Sequence, residues 1–272
     1  MINSRKEIAE FILKSLQKNS QSIQEQFKQT HQDIGYFVVD DVLPENLARQ
    51  IHEAFPATEE AVKKQSLREY KYVGYQMNEF DSLLEEVIYA FQEPEIVAEV
   101  AKICGIQGLE PDENLYAGGI SLMKQHNFLN PHLDNSHDKD RSRWRVLNLL
   151  YYVTPDWRLE DGGNLELWPH GVKNEPITIE SKFNRLAIMT THQSSWHSVS
   201  KVMSDKVRCC VSNYYFSETP LKSTDSFHVT TFRGRPSEKL KDAILQCDSF
   251  LRGTLRKLFK RGVKKNKHEY KK

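Results

Sequence analysis

The chain reads as a mainly β protein with flanking helices. From about residue 115, short apolar runs alternate with turn residues, the pattern of an all-β sandwich or barrel. Before residue 105 and after residue 236, apolar side chains recur instead at helical spacing. The length, 272 residues with ordinary apolar and charged fractions, suits one large core.

Ser4 followed by Glu7 forms a capping-box pattern, and Ile8, Phe11, Ile12 and Leu16 then predict an amphipathic helix. A Gln-rich polar stretch follows, then a short buried strand over Tyr36 to Val39. Pro44 opens a helix with Leu47, Ile51 and Phe55 on one side, and two further helical segments fall near 81–92 and 94–104. The expected strands are 116–124, 145–153, 163–168, 185–190, 196–202, 207–216 and 227–232. Pro236 starts a last helix whose expected buried stripe is Leu240, Ile244, Leu251 and Leu255. The implied organisation is a helical extension over 1–33, one domain over 34–235 with helical support at 44–105 and strands at about 115–232, and a helix with a basic tail over 236–272.

The formal net charge of +1 hides an asymmetry, because Lys and Arg concentrate from Arg252 through Lys272. That basic tail is the one feature that suggests an acidic partner. No apolar run is long enough to cross a bilayer, and the first residues lack a secretory core, so a cytoplasmic location is expected. Cys104, Cys209, Cys210 and Cys247 lack metal or redox spacing and are expected to pack as thiols, with Cys209 and Cys210 on opposite faces of a strand.

The chemistry-bearing residues are His132, Asp134 and His197. Positions i and i+2 of a strand share a face, so His132-Leu133-Asp134 aims an imidazole and a carboxylate at one point. His197, on a later strand, can complete one face of an octahedron and leave three positions open, the arrangement that suits non-haem Fe(II). An H-x-D pair alone is weak evidence, and His31-Gln32-Asp33 is a second one without partner elements. His126, His137, His170, His192 and His228 have no carboxylate at i+2 and read as surface or structural residues; Trp196 reads as packing.

From Pro131 to Phe216 the chain resembles the prolyl 4-hydroxylase group of 2-oxoglutarate dioxygenases, and its oxygen-sensing members in particular. The resemblance is carried by His132-Leu133-Asp134-Asn135, Arg145 through Tyr151-Tyr152, Asp156-Trp157, Gly162-Gly163 before Trp168-Pro169, Lys182-Phe183-Asn184-Arg185-Leu186, His197, and Arg208 through Tyr215-Phe216. It implies a double-stranded β-helix core of the jelly-roll, cupin-like kind with N-terminal helices packed on it and a C-terminal helix. It also implies Fe(II), 2-oxoglutarate and O2 as cofactor and cosubstrates, with ascorbate alongside, and hydroxylation with release of succinate and CO2.

Within that frame Arg208, eleven positions after His197 and set among apolar neighbours, is expected to grip the cosubstrate's far carboxylate with two parallel hydrogen bonds. Ser212 falls on the same strand face, Tyr152 matches the family tyrosine that donates to the same carboxylate, and Asn148 shares the face of Tyr152. The oxygen-sensing relatives carry a tyrosine about ten residues before the first ligand, where this chain has Leu122. A lid and an anionic contact are expected in Leu67 to Asp81 and in Asn135 to Trp144, the latter with Arg141, Arg143 and Arg145 at its end. The substrate stays open between a prolyl peptide, an amino acid and a small biosynthetic intermediate. Two other classes stand beside this reading: a non-catalytic ligand-binding or sensing barrel, and a cupin-like metal hydrolase.

Overall fold

The computed structural model describes residues 4–258 and Tyr270, with the side chains of α6 described through Thr254. Most of the Lys-rich tail therefore lies outside the described residues. Six α-helices are present: α1 (Arg5–Lys18), α2 (Ser20–Thr30), α3 (Glu45–Glu53), α4 (Ser82–Ala90), α5 (Pro94–Cys104) and α6 (Lys239–Leu258). Among the described residues no helix is long and apolar enough to cross a membrane.

The strands are β1 (Tyr36–Val39), β2 (Val62–Gln65), β3 (Glu69–Gly74), β4 (Glu110–Pro111), β5 (Gly119–Met123), β6 (Phe128–Leu133) and β7 (Trp144–Tyr152). They continue as β8 (Leu165–Leu167), β9 (Ile177–Ile179), β10 (Arg185–Thr190), β11 (His197–Val199), β12 (Arg208–Ser217) and β13 (Thr231–Phe232). They form one antiparallel sheet in the order β1-β10-β7-β12-β5-β3-β6-β11-β8-β9, with β4 added to β12, β2 to β3 and β13 to β6. The sheet curls into a half-barrel of the double-stranded β-helix kind, flanked by the N- and C-terminal helices.

Strand alternation divides the two faces. Leu147, Leu149 and Tyr151 of β7 and Cys209, Val211 and Tyr215 of β12 join the buried side chains of α1, α3, α4 and α5 in one outer core. The Asn213 amide of β12 ties this face to α4, donating to the Ile88 carbonyl at 3.2 Å and accepting from Gln92 at 2.9 Å. The alternate residues turn inward, where Tyr152, Cys210, Leu165, Leu167 and Met189 form a second cluster. The N-terminal helices thus clamp the back of the sheet and leave its concave side to the site.

The first helix forms as its sequence predicts, with Ser4 and Glu7 capping it reciprocally and Ile8, Ile12 and Leu16 fully buried. Helix α2 lies where the Gln-rich stretch had suggested only polarity, because Ile23 and Phe27, four apart, are enough to seat one face. The segment expected as a lid from Leu67 is instead β3 of a regular hairpin followed by a 3-10 turn. Strand β13 is shorter than the expected 227–232.

The stripe expected on α6 is reversed: Leu240, Ile244 and Leu251 are exposed at 77, 47 and 62 %, and Leu255 falls among side chains not described. The helix is anchored by polar contacts and not by leucines. Asp242 pairs with Arg233, Asp248 with Arg68 and Arg252, and the Ser249 hydroxyl accepts from the Phe232 amide, leaving Leu245 as the apolar plug. All four cysteines are free thiols; Cys209 and Cys210 do face opposite sides, while Cys247 is exposed and not packed.

Candidate active site

Strand β6 ends at Leu133 and Asp134 follows directly, so His132 and Asp134 turn to one side, as their spacing predicts. What the spacing could not supply is the register of β11, which lies antiparallel to β6 with His197 directly opposite His132. The two imidazole centroids are 4.1 Å apart. Nε2 of His132 lies 3.7 Å from one Asp134 oxygen, and Nε2 of His197 lies 3.7 Å from the other. One potential ligand atom from each residue falls within 4.8 Å of the rest, and this is the one such group of three among the described residues.

Hydrogen bonding shows that the triad fits a metal. Nδ1 of His132 lies 3.0 Å from the Asn130 carbonyl, and Nδ1 of His197 lies 2.9 Å from the Ser195 carbonyl. A carbonyl only accepts, so both rings are held in the tautomer that turns the Nε2 lone pair into the site. Asp134 Oδ2 is buried without a hydrogen-bond partner, which is costly unless a cation receives it. Burial drives the His132 pKa down to about 3, with repulsion from His197 adding to it, so the ring is a neutral donor at ordinary pH. Burial also disfavours the Asp134 anion, but His197, Arg145 and His132 outweigh it and hold the carboxyl below its usual range.

The triad opens into a cavity of about 420 Å³. Arg208 lines the same cavity at 2 % exposure. Its Nε donates to the Ser181 hydroxyl at 3.1 Å, its Nη1 reaches the Met123 sulfur at 3.6 Å, and its guanidinium lies 4.8 Å over the Tyr152 ring. No carboxylate of the described residues pairs with it. Gly163 makes room for this side chain: its φ is +64°, and an added Cβ would come within 2.8 Å of Arg208 Cδ.

Of the other expected site residues, Ser212 and Asn148 line the cavity, and Asn148 Oδ1 is buried without a partner. Tyr152 is fully buried beneath Arg208, and its hydroxyl makes no hydrogen bond of standard geometry. Leu122 faces the outer core, while its neighbours Ser121 and Met123 face the cavity, so the comparison made at Leu122 falls one position off the lining. His31 is exposed at the end of α2, and His126 and His170 are also exposed. His137 and His192 are buried outside the triad.

Sequence reasoning missed two contributors and set a third, Arg145, at an expected anionic contact without a part beside the metal ligands. Arg145, buried at 6 %, reaches Asp134 at 3.6 Å and stacks 4.3 Å over Tyr214. It stood inside a motif stretch, but nothing in the sequence showed it turning toward a ligand. Ser181 had no signal at all. Hairpin β2–β3 contributes Lys64, Glu69 and Lys71 to the lining, and only its pairing with β5 and β6 brings it there.

The curled antiparallel fold and the His/Asp/His triad together define an enzyme of the 2-oxoglutarate/Fe(II) oxygenase class. Over residues 118–216 the chain matches the family model described as the 2OG-Fe(II) oxygenase superfamily. Its structural relatives are prolyl 4-hydroxylase-like. A prolyl 4-hydroxylase from Pseudomonas putida superposes with a TM-score of 0.52 at 16% identity, covering 73% of this chain and 100% of that one. A prolyl hydroxylase from Trichoplax adhaerens, solved with a hypoxia inducible factor peptide fragment, gives 0.52 at 17% identity over 75% and 92%. A prolyl 4-hydroxylase from Phytophthora capsici gives 0.55 at 18% identity over 90% and 78%. At these identities the likeness is one of fold. No curated protein matches the chain by sequence.

Proposed function

We propose that the enzyme hydroxylates a C–H bond of an organic substrate, with Fe(II) on His132, Asp134 and His197 and 2-oxoglutarate held between the metal and Arg208. The observation that carries this reading is a buried guanidinium with no carboxylate partner among the described residues, lining the cavity that the triad opens into. Burying an unpaired cation is costly, and a dicarboxylate chelating the metal would bring the missing anion. When bound, iron and cosubstrate supply the oxidation, with O2 consumed and succinate and CO2 released.

The chain's own contribution is positioning. Ser181, itself donating to the Gly163 carbonyl at 2.7 Å, fixes the Arg208 Nε and leaves the guanidinium's other edge for the carboxylate. Asn148 and Ser212 offer polar atoms along the same wall, and the Tyr152 ring supports the guanidinium from beneath. Arg145 steadies Asp134 at Oδ1, the oxygen that His132 Nε2 also approaches. Phe232 stacks on the His132 ring at 5.2 Å, and with Leu129, Leu165 and Val199 it keeps the wall around the metal apolar. The candidate substrates are a prolyl residue, an amino acid or a small biosynthetic intermediate.

Anaerobic titration of Fe(II) protein with 2-oxoglutarate tests the reading. A weak visible charge-transfer band should grow in and saturate, uncoupled succinate should form once air is admitted, and His132→Ala and Asp134→Ala should abolish both. A protein that binds iron but neither develops the band nor forms succinate would be a binding barrel and not an oxygenase.

A further inference from the structure

Helix α6 is amphipathic, but it turns its apolar face to solvent. At 3.6 residues per turn, Leu240, Ala243, Ile244, Cys247, Phe250 and Leu251 fall within an arc of about 120°, and no charged side chain of the described residues shares it. All six are exposed, Phe250 at 74 %. Single exposed leucines are ordinary, whereas a continuous uncharged face along three turns marks an interaction surface. The face is held outward by the contacts that pin the other side of the helix: Asp242 to Arg233, Asp248 to Arg68, and the Ser249 hydroxyl to the Phe232 amide.

The sequence that continues the helix gives the chemistry of what covers this face. From Arg252 through Lys272 the chain carries ten Lys or Arg against one acidic residue, Glu269. The run starts on α6 and is fixed to the body again at Tyr270, whose amide donates to the Asn114 carbonyl at 2.8 Å. The rest of the chain is net negative, so an anionic surface attracts this end and repels the remainder. A second copy meeting the face through the same patch would cover the apolar arc but bring another basic run and no opposite charge. A nucleic acid would answer the charge and leave the apolar arc in water. An anionic bilayer answers both, with acyl chains for the arc and headgroups for the basic run.

We propose that α6 and the basic run after it dock the enzyme on an anionic lipid surface, the helix lying in the interface plane with Leu240, Ile244, Phe250 and Leu251 toward the acyl chains. Attachment of this kind is peripheral: the helix lies along the bilayer and does not cross it. Arg68 and Phe232, which hold the inner side of α6, also line the active-site cavity, so docking keeps the cavity about one helix diameter from the lipid. The docking surface and the chemistry of the cavity stand or fall separately.

The test is flotation of the full chain with vesicles of equal parts phosphatidylcholine and phosphatidylserine, and with vesicles of phosphatidylcholine alone. The protein should float with the anionic vesicles and not with the neutral ones, and added KCl should weaken the binding. Ile244→Ser with Leu251→Ser should lower the affinity at least tenfold, because two apolar side chains no longer enter the interface. Lys264→Gln and Lys265→Gln should each lower it about fivefold at low salt. All these side chains lie outside the cavity, and equal melting temperatures of variants and wild type confirm that the fold is kept. Failure of the wild type to float with anionic vesicles overturns the proposal. Binding that ignores Ile244→Ser with Leu251→Ser also overturns it, because the helix would then be a bystander to charge adsorption. A protein that ignores vesicles but sediments as a dimer, dissociated by the same two substitutions, assigns the face to a second copy. One that ignores vesicles but binds duplex DNA through Lys264 and Lys265 assigns the run to nucleic acid, and either result removes the lipid reading.

Discussion

Replacing Arg208 by Met exchanges a buried cation for an apolar side chain of similar reach, and the structure sets opposite signs for its two effects. Without cosubstrate, the guanidinium at 2 % exposure has one neutral hydrogen bond to Ser181, a weak contact to the Met123 sulfur and the face of the Tyr152 ring. None of these matches a carboxylate. Substituting buried ionic groups by apolar ones of similar volume stabilises by roughly 1–4 kcal/mol in other proteins. At about 2–4 °C per kcal/mol for a chain of this size, the ligand-free variant should melt roughly 2–16 °C higher than wild type. With 2-oxoglutarate the order reverses, because the variant leaves the far carboxylate buried and unpaired. Breaking a buried pair costs about 3–5 kcal/mol, so affinity should fall by about two to four orders of magnitude. Differential scanning calorimetry with and without cosubstrate, joined to calorimetric titration, reads both effects. A variant that melts lower than wild type when ligand-free and binds 2-oxoglutarate normally would show that Arg208 is a structural cation, and the cosubstrate assignment would fall with it.

Other outcomes follow from the same geometry. Arg145→Gln removes the cation 3.6 Å from Asp134, and the affinity of the triad for a divalent metal should drop about tenfold or more, measured by competition with a chromophoric chelator. Gly163→Ala asks a Cβ to occupy a left-handed backbone position against Arg208 Cδ; it should destabilise by about 1–3 kcal/mol in urea unfolding and raise the 2-oxoglutarate requirement, where an unstrained site would change neither. Burial holds the His192 pKa down at about 4, with Lys222 adding to the depression, and the ring's Nε2 lies 2.8 Å from the Asp33 carbonyl. The unfolded chain therefore takes up a proton between pH 6.5 and 4 that the native state refuses. Native stability due to this group is complete above pH 6.5 and is lost as pH falls toward 4, with a slope of up to about 1.4 kcal/mol per pH unit. His192→Gln should flatten the urea-midpoint profile in that window; an unchanged profile would place the titration elsewhere.

The comparison of sequence and structure turns on what each residue pattern can encode. The helices α1 and α3, most of the later strands and the shared side of His132 and Asp134 were legible because cap chemistry and the periods of helix and strand are local properties, whereas β6, the strand that carries His132, was not among the expected strands. The fate of α6 was not, because an apolar stripe says only that a face could be buried. Ion pairs made from outside the helix, Arg233 with Asp242 and Arg68 with Asp248, decided which face is. Hairpin β2–β3 escaped for a related reason. Its strands carry Lys, Gln, Glu and Tyr in place of the apolar alternation that marks a strand, since one face looks into a polar cavity and the other outward.

By itself, the sequence determined the mainly β architecture with helical flanks and the identity of three metal-competent residues, and it singled out Arg208 as the residue expected to meet a dicarboxylate. Only the tertiary structure decided that β11 lies against β6 with His197 opposite His132, that Arg208 is buried with no carboxylate of the described residues beside it, and that Arg145 and the lysines of the hairpin share the cavity. The physical reason is that strand register and burial are properties of pairs. The side a residue faces is fixed by its own strand, but what it meets there is fixed by segments tens of residues away, through a packing that no local pattern contains.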